Sequence, residues 1–250
     1  MQSFDSGGVE IAYVDEGEGD PILLIHGFAS NVAANWRDSH WLRTLTAASR
    51  RAIAYDNRGH GRSGKLYDPS RYGAPTTAED ARRLLDHLAI GRADVMGYSM
   101  GARIAVFLAL AHPERVRSLI LAGTGINLVR GMVGTLPLAR VFEAPSIEDV
   151  TNNTARSFRA FAERTGSDLQ ALAACLRGPR EKIRIEDLAR IDVPVLIATG
   201  SKDVIAGSSR ALQEMIPNAQ LLDIEGRDHM NAVGDARFKQ GVLDFLTGRP

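Results

Sequence analysis

Short apolar runs recur along this chain, and the interval after most of them is long enough for one helix. The runs lie at 9–14, 22–25, 51–55, 94–96, 118–121, 193–198 and 221–224. Several are apolar at consecutive positions, as expected of a strand buried on both faces and not of one with a solvent side. The intervals carry helical spacing. Thr76 or Thr77 can cap a helix beginning near Ala78, with Ala81, Leu84, Leu85 and Leu88 on one stripe. Residues 208–216 and 237–246 read as two further helices. Alternating strand and helix predicts an α/β fold, a mainly parallel sheet with helices on both faces. A chain of 250 residues, 44% hydrophobic, is long enough for one sizeable domain with an inserted subdomain. The insertion is expected where the rhythm breaks. Between Ala122 and Val193 lie about seventy residues with no convincing buried strand, too long for an ordinary loop. Within them Leu169, Leu172, Ala173 and Leu176 keep helical spacing.

Charge and cysteine content narrow the function classes. Lysine plus arginine equals aspartate plus glutamate at 30 each, so no electrostatic drive toward nucleic acid or a membrane surface is expected. Cys175 is the only cysteine, which rules out an intrachain disulfide. The first ten residues lack a basic and an apolar region, and the longest apolar segment, 104–111, is far short of the roughly 20 residues a membrane span needs. The expectation is a soluble, cytoplasmic protein, with no assignment of oligomeric state.

Gly97-Tyr98-Ser99-Met100-Gly101 sits between the apolar runs 93–96 and 104–111. A serine with a small residue on each side, at a strand-to-helix corner, is what a strained nucleophile turn requires. A serine hydroxyl needs a base within hydrogen-bond reach. Of the six histidines only His112 and His229 follow Ser99. His112 falls at the far end of the helix that Ser99 opens, roughly 18 Å away. His229 follows the last strand, at the edge of the sheet where Ser99 should lie, and is the expected base. The acid that orients it should sit at the same edge. Asp203 follows the run 193–198 there; Asp187 and Asp192 precede that run, Asp223 lies within the last strand, and Asp228 is expected to cap its own loop. The oxyanion formed on attack needs amide donors. Met100 N–H comes with the turn, and Phe28 N–H, after His26-Gly27, is the second choice. Gly27 would let the backbone approach substrate, and Tyr98 and Trp36 are expected to line the binding site. Packing of Trp36 and Trp41 between helix and insertion is the other reading. His26 is expected to hold its loop and not to carry protons.

These motifs, with Asp56-Asn57-Arg58-Gly59-His60-Gly61-Arg62-Ser63 and Thr199-Gly200-Ser201-Lys202-Asp203, resemble the α/β-hydrolase superfamily, in its branch of small serine esterases and lactonases. They span nearly the whole chain in family order. The resemblance implies an eight-stranded sheet with a helical lid after the sixth strand: a core of residues 1–124 and 190–250 and a lid of 125–189. It also implies the chain order Ser, Asp, His, which Ser99, Asp203 and His229 follow. The choice of Asp203 and Phe28 leans in part on that order.

Other signals carry less. Gly59 to Gly64 matches G-x-G-x-x-G, but the loop-like residues 65–69 follow where a phosphate site needs a helix, and Leu66 stands where a P-loop needs a hydroxyl. No metal-ligand spacing occurs. Cys175, in an apolar helical stretch, reads as a packed thiol. The expected activity is hydrolysis of a small-molecule carboxylic ester, lactones included, with no cofactor, metal, nucleic acid or membrane partner. Carbon–carbon bond hydrolase, thioesterase and perhydrolase chemistry share the same machinery, and a hydrolase-shaped receptor is the alternative from another class. The apolar residues Ile126, Leu128, Val129, Met132, Val133, Leu136 and Leu138 could face an acyl pocket or close the lid onto the core.

Overall fold

A strand that is apolar at every position must be covered twice, and the layering of this protein meets that demand. The computed structural model describes residues 1–131 and 135–248. Its eight strands are β1 (Gln2–Asp5), β2 (Glu10–Glu16), β3 (Asp20–Ile25), β4 (Arg50–Tyr55), β5 (Ala93–Tyr98), β6 (Val116–Ala122), β7 (Val195–Gly200) and β8 (Gln220–Ile224). They form one sheet in the order β1-β2-β4-β3-β5-β6-β7-β8. The β1–β2 and β2–β4 pairs are antiparallel; every other pair is parallel.

Successive strand residues point to opposite faces. Ile22 and Leu24 of β3, with Ala52 and Ala54 of β4, join one core. Leu23 and Ile25, with Ile53 and Tyr55, join the other. The first core is closed by α1 (Trp41–Ala47) and α10 (Ala236–Gly248), through Trp41, Leu45, Phe238 and Val242. The second is closed by α2 (Ala74–His87), α3 (Met100–Ala111) and α9 (Ser209–Gln213), through Leu84, Leu85, Ile104, Leu108 and Leu212.

One local expectation is corrected, and one strand adds to those read from the sequence. Strand β1 carries no apolar run because it is an edge strand; only Phe4 of its four residues is buried. Helix α2 starts four residues before the expected position. Gly73 precedes it, Pro75 occupies its first turn where a missing N–H costs nothing, and the Thr77 hydroxyl donates back to the Gly73 carbonyl from within the helix. Asp80 lies within α2. It is buried and accepts hydrogen bonds from Nε and Nη2 of Arg58, each at 2.7 Å, and from Ser6 Oγ. Ser208 does cap α9, accepting from Ala211 N–H at 3.1 Å.

Between β6 and β7 the described residues contain helices and no strand: α4 (Asn127–Arg130), α5 (Thr135–Glu143), α6 (Asn153–Arg164), α7 (Leu169–Arg177) and α8 (Ile185–Leu188). Asn152 and Asp168 cap α6 and α7 by accepting from Ala155 and Ala171 N–H. The apolar faces of α5, α6 and α7 meet in a third core through Leu138, Phe142, Phe158, Leu172 and Leu176, and that core closes on Ala29 and Phe28 of the loop after β3. Ile126, Leu128 and Leu138 are buried and Leu136 is exposed, while Met132 and Val133 lie outside the described residues. Among the described residues no helix is long and apolar enough to cross a membrane. The parallel strands deliver the loops after β3, β5, β7 and β8 to one edge of the sheet, the usual place for a site in an open α/β fold.

Candidate active site

Ser99 is the single residue between β5 and α3, and its backbone, at φ 56° and ψ −113°, occupies a sparsely populated region. Such a conformation costs of order 1–3 kcal/mol and persists only where the surroundings enforce it. The enforcement is visible at the flanking glycines. A Cβ on Gly97 would lie 2.2 Å from the carbonyl oxygen of Gly101, and one on Gly101 would lie 1.9 Å from that of Ile25 in β3. The turn therefore packs backbone against backbone. A serine ahead of a helix commonly spends its hydroxyl capping the first turn; Ser99 makes no such bond. Its Oγ stands 3.0 Å from Nε2 of His229.

The imidazole is held on its other side. Nδ1 of His229 lies 2.7 Å from Oδ2 of Asp203. Since that carboxylate can only accept, Nδ1 carries the proton and Nε2 presents its lone pair to the serine. The remaining oxygen of Asp203 accepts from Ile205 and Ala206 N–H at 3.0 and 2.9 Å, which fixes the carboxylate in place. Both residues are buried. The structure thus brings Ser99, His229 and Asp203 together at one edge. Asp228 turns to its own loop, accepting from Met230 and Asn231 N–H, and Asp187 pairs with Arg184. His112 caps the far end of α3 and contacts Glu79.

Phe28 and Met100 line the same cavity as the serine. The loop and cap hydrogen bonds among the described residues use neither backbone amide. Met100 N–H belongs to the first turn of α3, where helical N–H groups lack intrahelical partners and the dipole favours an anion. Gly27 presses against the turn: a Cβ there would meet the Ser99 Cβ at 3.4 Å. Its N–H donates to Oδ1 of Asn35 at 3.2 Å. Asn35 orients this loop, and no motif marks it in the sequence. The Tyr98 hydroxyl donates to the His229 carbonyl at 2.7 Å, so Tyr98 steadies the histidine loop while its ring lines a cavity. Trp36 is a correction. It is fully buried, stacks edge-on with Trp41 at 6.4 Å and belongs to the core under α1, so it does not line the substrate space. Its apolar bulk is used for covering the sheet.

Two cavities, of about 470 and 290 Å³, meet at this point. Phe28, Ser99, Phe158 and His229 line both. Tyr98, Phe161, Arg164 and Met230 complete part of the larger; Met100, Arg103, Leu128, Cys175 and Leu176 part of the smaller. Cys175 thus borders a cavity, and desolvation pushes its thiol up to about 11, which keeps it protonated and unreactive near neutral pH.

His26 and His60 form a buried pair behind the Phe28 loop, ring centroids 5.4 Å apart. His26 Nε2 accepts from Asn57 N–H at 2.9 Å, with Nδ1 facing the Gly27 carbonyl, so it ties two loops together. Burial pushes His26 down to about 4, partly opposed by the Gly27 carbonyl. Burial, then the charge of His26, pushes His60 down to about 3. Unfolded, both titrate near 6.5. Between about pH 6.5 and 4 the unfolded chain binds more protons, so stability falls as pH drops, by about 1.4 kcal/mol per pH unit for each histidine. Asp56, whose carboxyl is raised by burial, works in the opposite sense and offsets part of this. Urea unfolding at pH values spaced from about 7.5 to 5 should show the loss; a flat profile rules out a neutral buried pair.

The glycine-rich loop after β4 serves itself. Asp56 accepts from Val32 and Arg62 N–H at 2.7 Å, and the Lys65 ammonium donates to the carbonyls of Gly61 and Ser63 at 2.6 Å. No helix opens at its end, so the anion cradle that the glycine spacing suggests is not formed.

Comparison with known proteins agrees with this architecture. The family described as the alpha/beta hydrolase fold matches residues 20–183. The chain is 30% identical to a non-heme chloroperoxidase of Kitasatospora aureofaciens, covering 96% of each. It is 30% identical to a 2-hydroxymuconate semialdehyde hydrolase of a Pseudomonas species, covering 96% of this chain and 91% of the other. Among solved structures, the enol-lactonase of Burkholderia xenovorans superposes with a TM-score of 0.79 at 23% identity, over 98% of this chain and all of that one.

Proposed function

The chain belongs to the α/β-hydrolase fold family, and within it we propose a serine hydrolase that cleaves carboxylic esters, lactones among them, through an acyl-enzyme intermediate. The observation that carries this reading is the linked pair of distances, 3.0 Å from Ser99 Oγ to His229 Nε2 and 2.7 Å from His229 Nδ1 to Asp203. In the proposed reaction Ser99 Oγ attacks the ester carbonyl while His229 takes its proton. Asp203 stabilises the resulting imidazolium and keeps its orientation. The amides of Phe28 and Met100 receive the oxyanion. Collapse expels the alcohol, which leaves with the proton from His229. Water, deprotonated by the same imidazole, then attacks the acyl-serine and releases the carboxylic acid. No step needs a cofactor. Residues 125–189 serve as a lid over the two cavities, on a core of 1–124 and 190–250.

The relatives bear names from several chemistries, so a substrate panel is the test. Esters of increasing acyl length are offered beside lactones, thioesters and a carbon–carbon bond substrate, with product counted per active site. Many turnovers on esters or lactones support the proposal. A single acylation that stalls favours a receptor, and turnover confined to the carbon–carbon substrate overturns the ester assignment.

A further inference from the structure

The smaller cavity carries a charge that the chain as a whole lacks. Positive and negative residues balance at 30 each, yet Arg103, Arg130, Arg180 and Lys182 line this cavity against the lone carboxylate of Glu181. Ser99 and Met100 lie in the same wall. Among the described residues none of the four cations forms an ion pair with a carboxylate. Glu181 is turned partly to backbone, accepting from Ala74 N–H at 3.3 Å.

Arg103 is one helical turn beyond Ser99. Four residues rise about 6 Å along the helix, and Arg103 and Ser99 line the same cavity. Its guanidinium is held by two carbonyls of the insertion and by the next turn of α3. Nη1 donates to the Leu128 carbonyl at 3.0 Å, Nη2 donates to the Glu181 carbonyl, and the Phe107 ring lies 5.3 Å from Cζ. Arg180 is anchored in the same way, Nη2 donating to the Leu176 carbonyl at 2.9 Å. These contacts position both groups without neutralising either, and each guanidinium keeps spare N–H donors. Burial, and then the positive charge of Arg180, disfavour the charged form of Arg103, with Glu181 opposing. An anion beside these guanidinium groups would favour their charged forms and so offset both effects.

We propose that this cavity holds the acyl arm of an ester that ends in a carboxylate, a half-ester of a short dicarboxylic acid, with Arg103 and Arg180 gripping the free carboxylate and Arg130 and Lys182 steering it inward. The inference rests on the ester-hydrolase reading above. Attack by Ser99 transfers the ester carbonyl of the diacid to its oxygen, the alcohol departs by the larger cavity with the proton from His229, and water releases the dicarboxylate.

The test compares kcat/KM for monoethyl glutarate and ethyl pentanoate, which differ in the terminal group, by proton release. The half-ester should be favoured by about tenfold or more, the scale of one charge-assisted hydrogen bond. That preference should shrink with added salt. Arg180 and Lys182 are exposed, so the R180Q/K182Q double variant keeps its fold; its preference should collapse toward one, while Arg210→Gln, a charge removed elsewhere, leaves it intact. No preference in the unaltered protein, or an unchanged preference in the double variant, overturns the subsite. If neither ester is turned over, the hydrolase reading fails, and the subsite is judged separately by calorimetric titration of glutarate into Ser99→Ala. Binding that weakens about tenfold on adding R180Q/K182Q sustains it; absence of binding overturns it.

Discussion

Replacing Ser99 by alanine should lower kcat, on whichever ester the protein turns over, by at least about 10⁴-fold. The substitution deletes the atom that His229 Nε2 faces at 3.0 Å. It leaves the rest of the site in place. His229 stays bound to Asp203 and to the Tyr98 hydroxyl, which donates to its carbonyl. The backbone conformation at φ 56° is as costly for alanine as for serine, so unfolding should be nearly unchanged. On the proposed mechanism, what remains is catalysis from the proposed oxyanion donors and binding alone, which in serine-histidine-aspartate triads is still roughly 10³–10⁴ above water. The outcome is read on purified variant protein with a matched melting curve. Near-normal turnover, or a fluorophosphonate that labels a residue other than Ser99 in the unaltered protein, sinks the assignment.

Gly101→Ala should cost folding more than about 4 kcal/mol, a loss large enough to prevent accumulation of native protein. The added Cβ would fall 1.9 Å from the Ile25 carbonyl oxygen, 2.6 Å from its carbon and 2.9 Å from the His26 oxygen. All three atoms are backbone, so no rotamer change can relieve the clash. Moving them displaces the end of β3, which pairs with both β4 and β5, or tilts α3 away from a core that includes Ile104 and Leu108. Gly91→Ala is the matched control, since a Cβ there meets nothing within 4 Å. Denaturant midpoints and far-ultraviolet circular dichroism separate the two. A Gly101→Ala protein as stable as the Gly91→Ala protein would falsify the close packing of α3 on β3.

These two residues were legible before any coordinates, because their signal is local. A serine between small residues, at the junction of a continuous apolar run and a helical one, states its own geometry. Asp203 and His229 were legible for a related reason: each follows a strand, and parallel strands carry their following loops to one edge. Boundaries read less well. Helix α2 begins at Ala74 because Pro75 suits a first turn, whereas Thr77, which has a capping residue type, bonds back to Gly73. Strand β1 carries too little apolar sequence to announce itself.

By itself the sequence determined the alternation of strand and helix, the strained serine turn, and the chain order of the groups gathered around it. The first two depend on periodicity or on bonds between near neighbours; the third follows the order that the family resemblance implies. Only the tertiary structure decided that Trp36 is core, that Asn35 orients the Gly27 amide, that Phe158 walls both cavities, and that Arg103, Arg180 and Lys182 share one space with Ser99. The last two join the insertion to residues far away in the chain. They are set by how apolar faces without a common period pack against each other, and no local pattern encodes that packing.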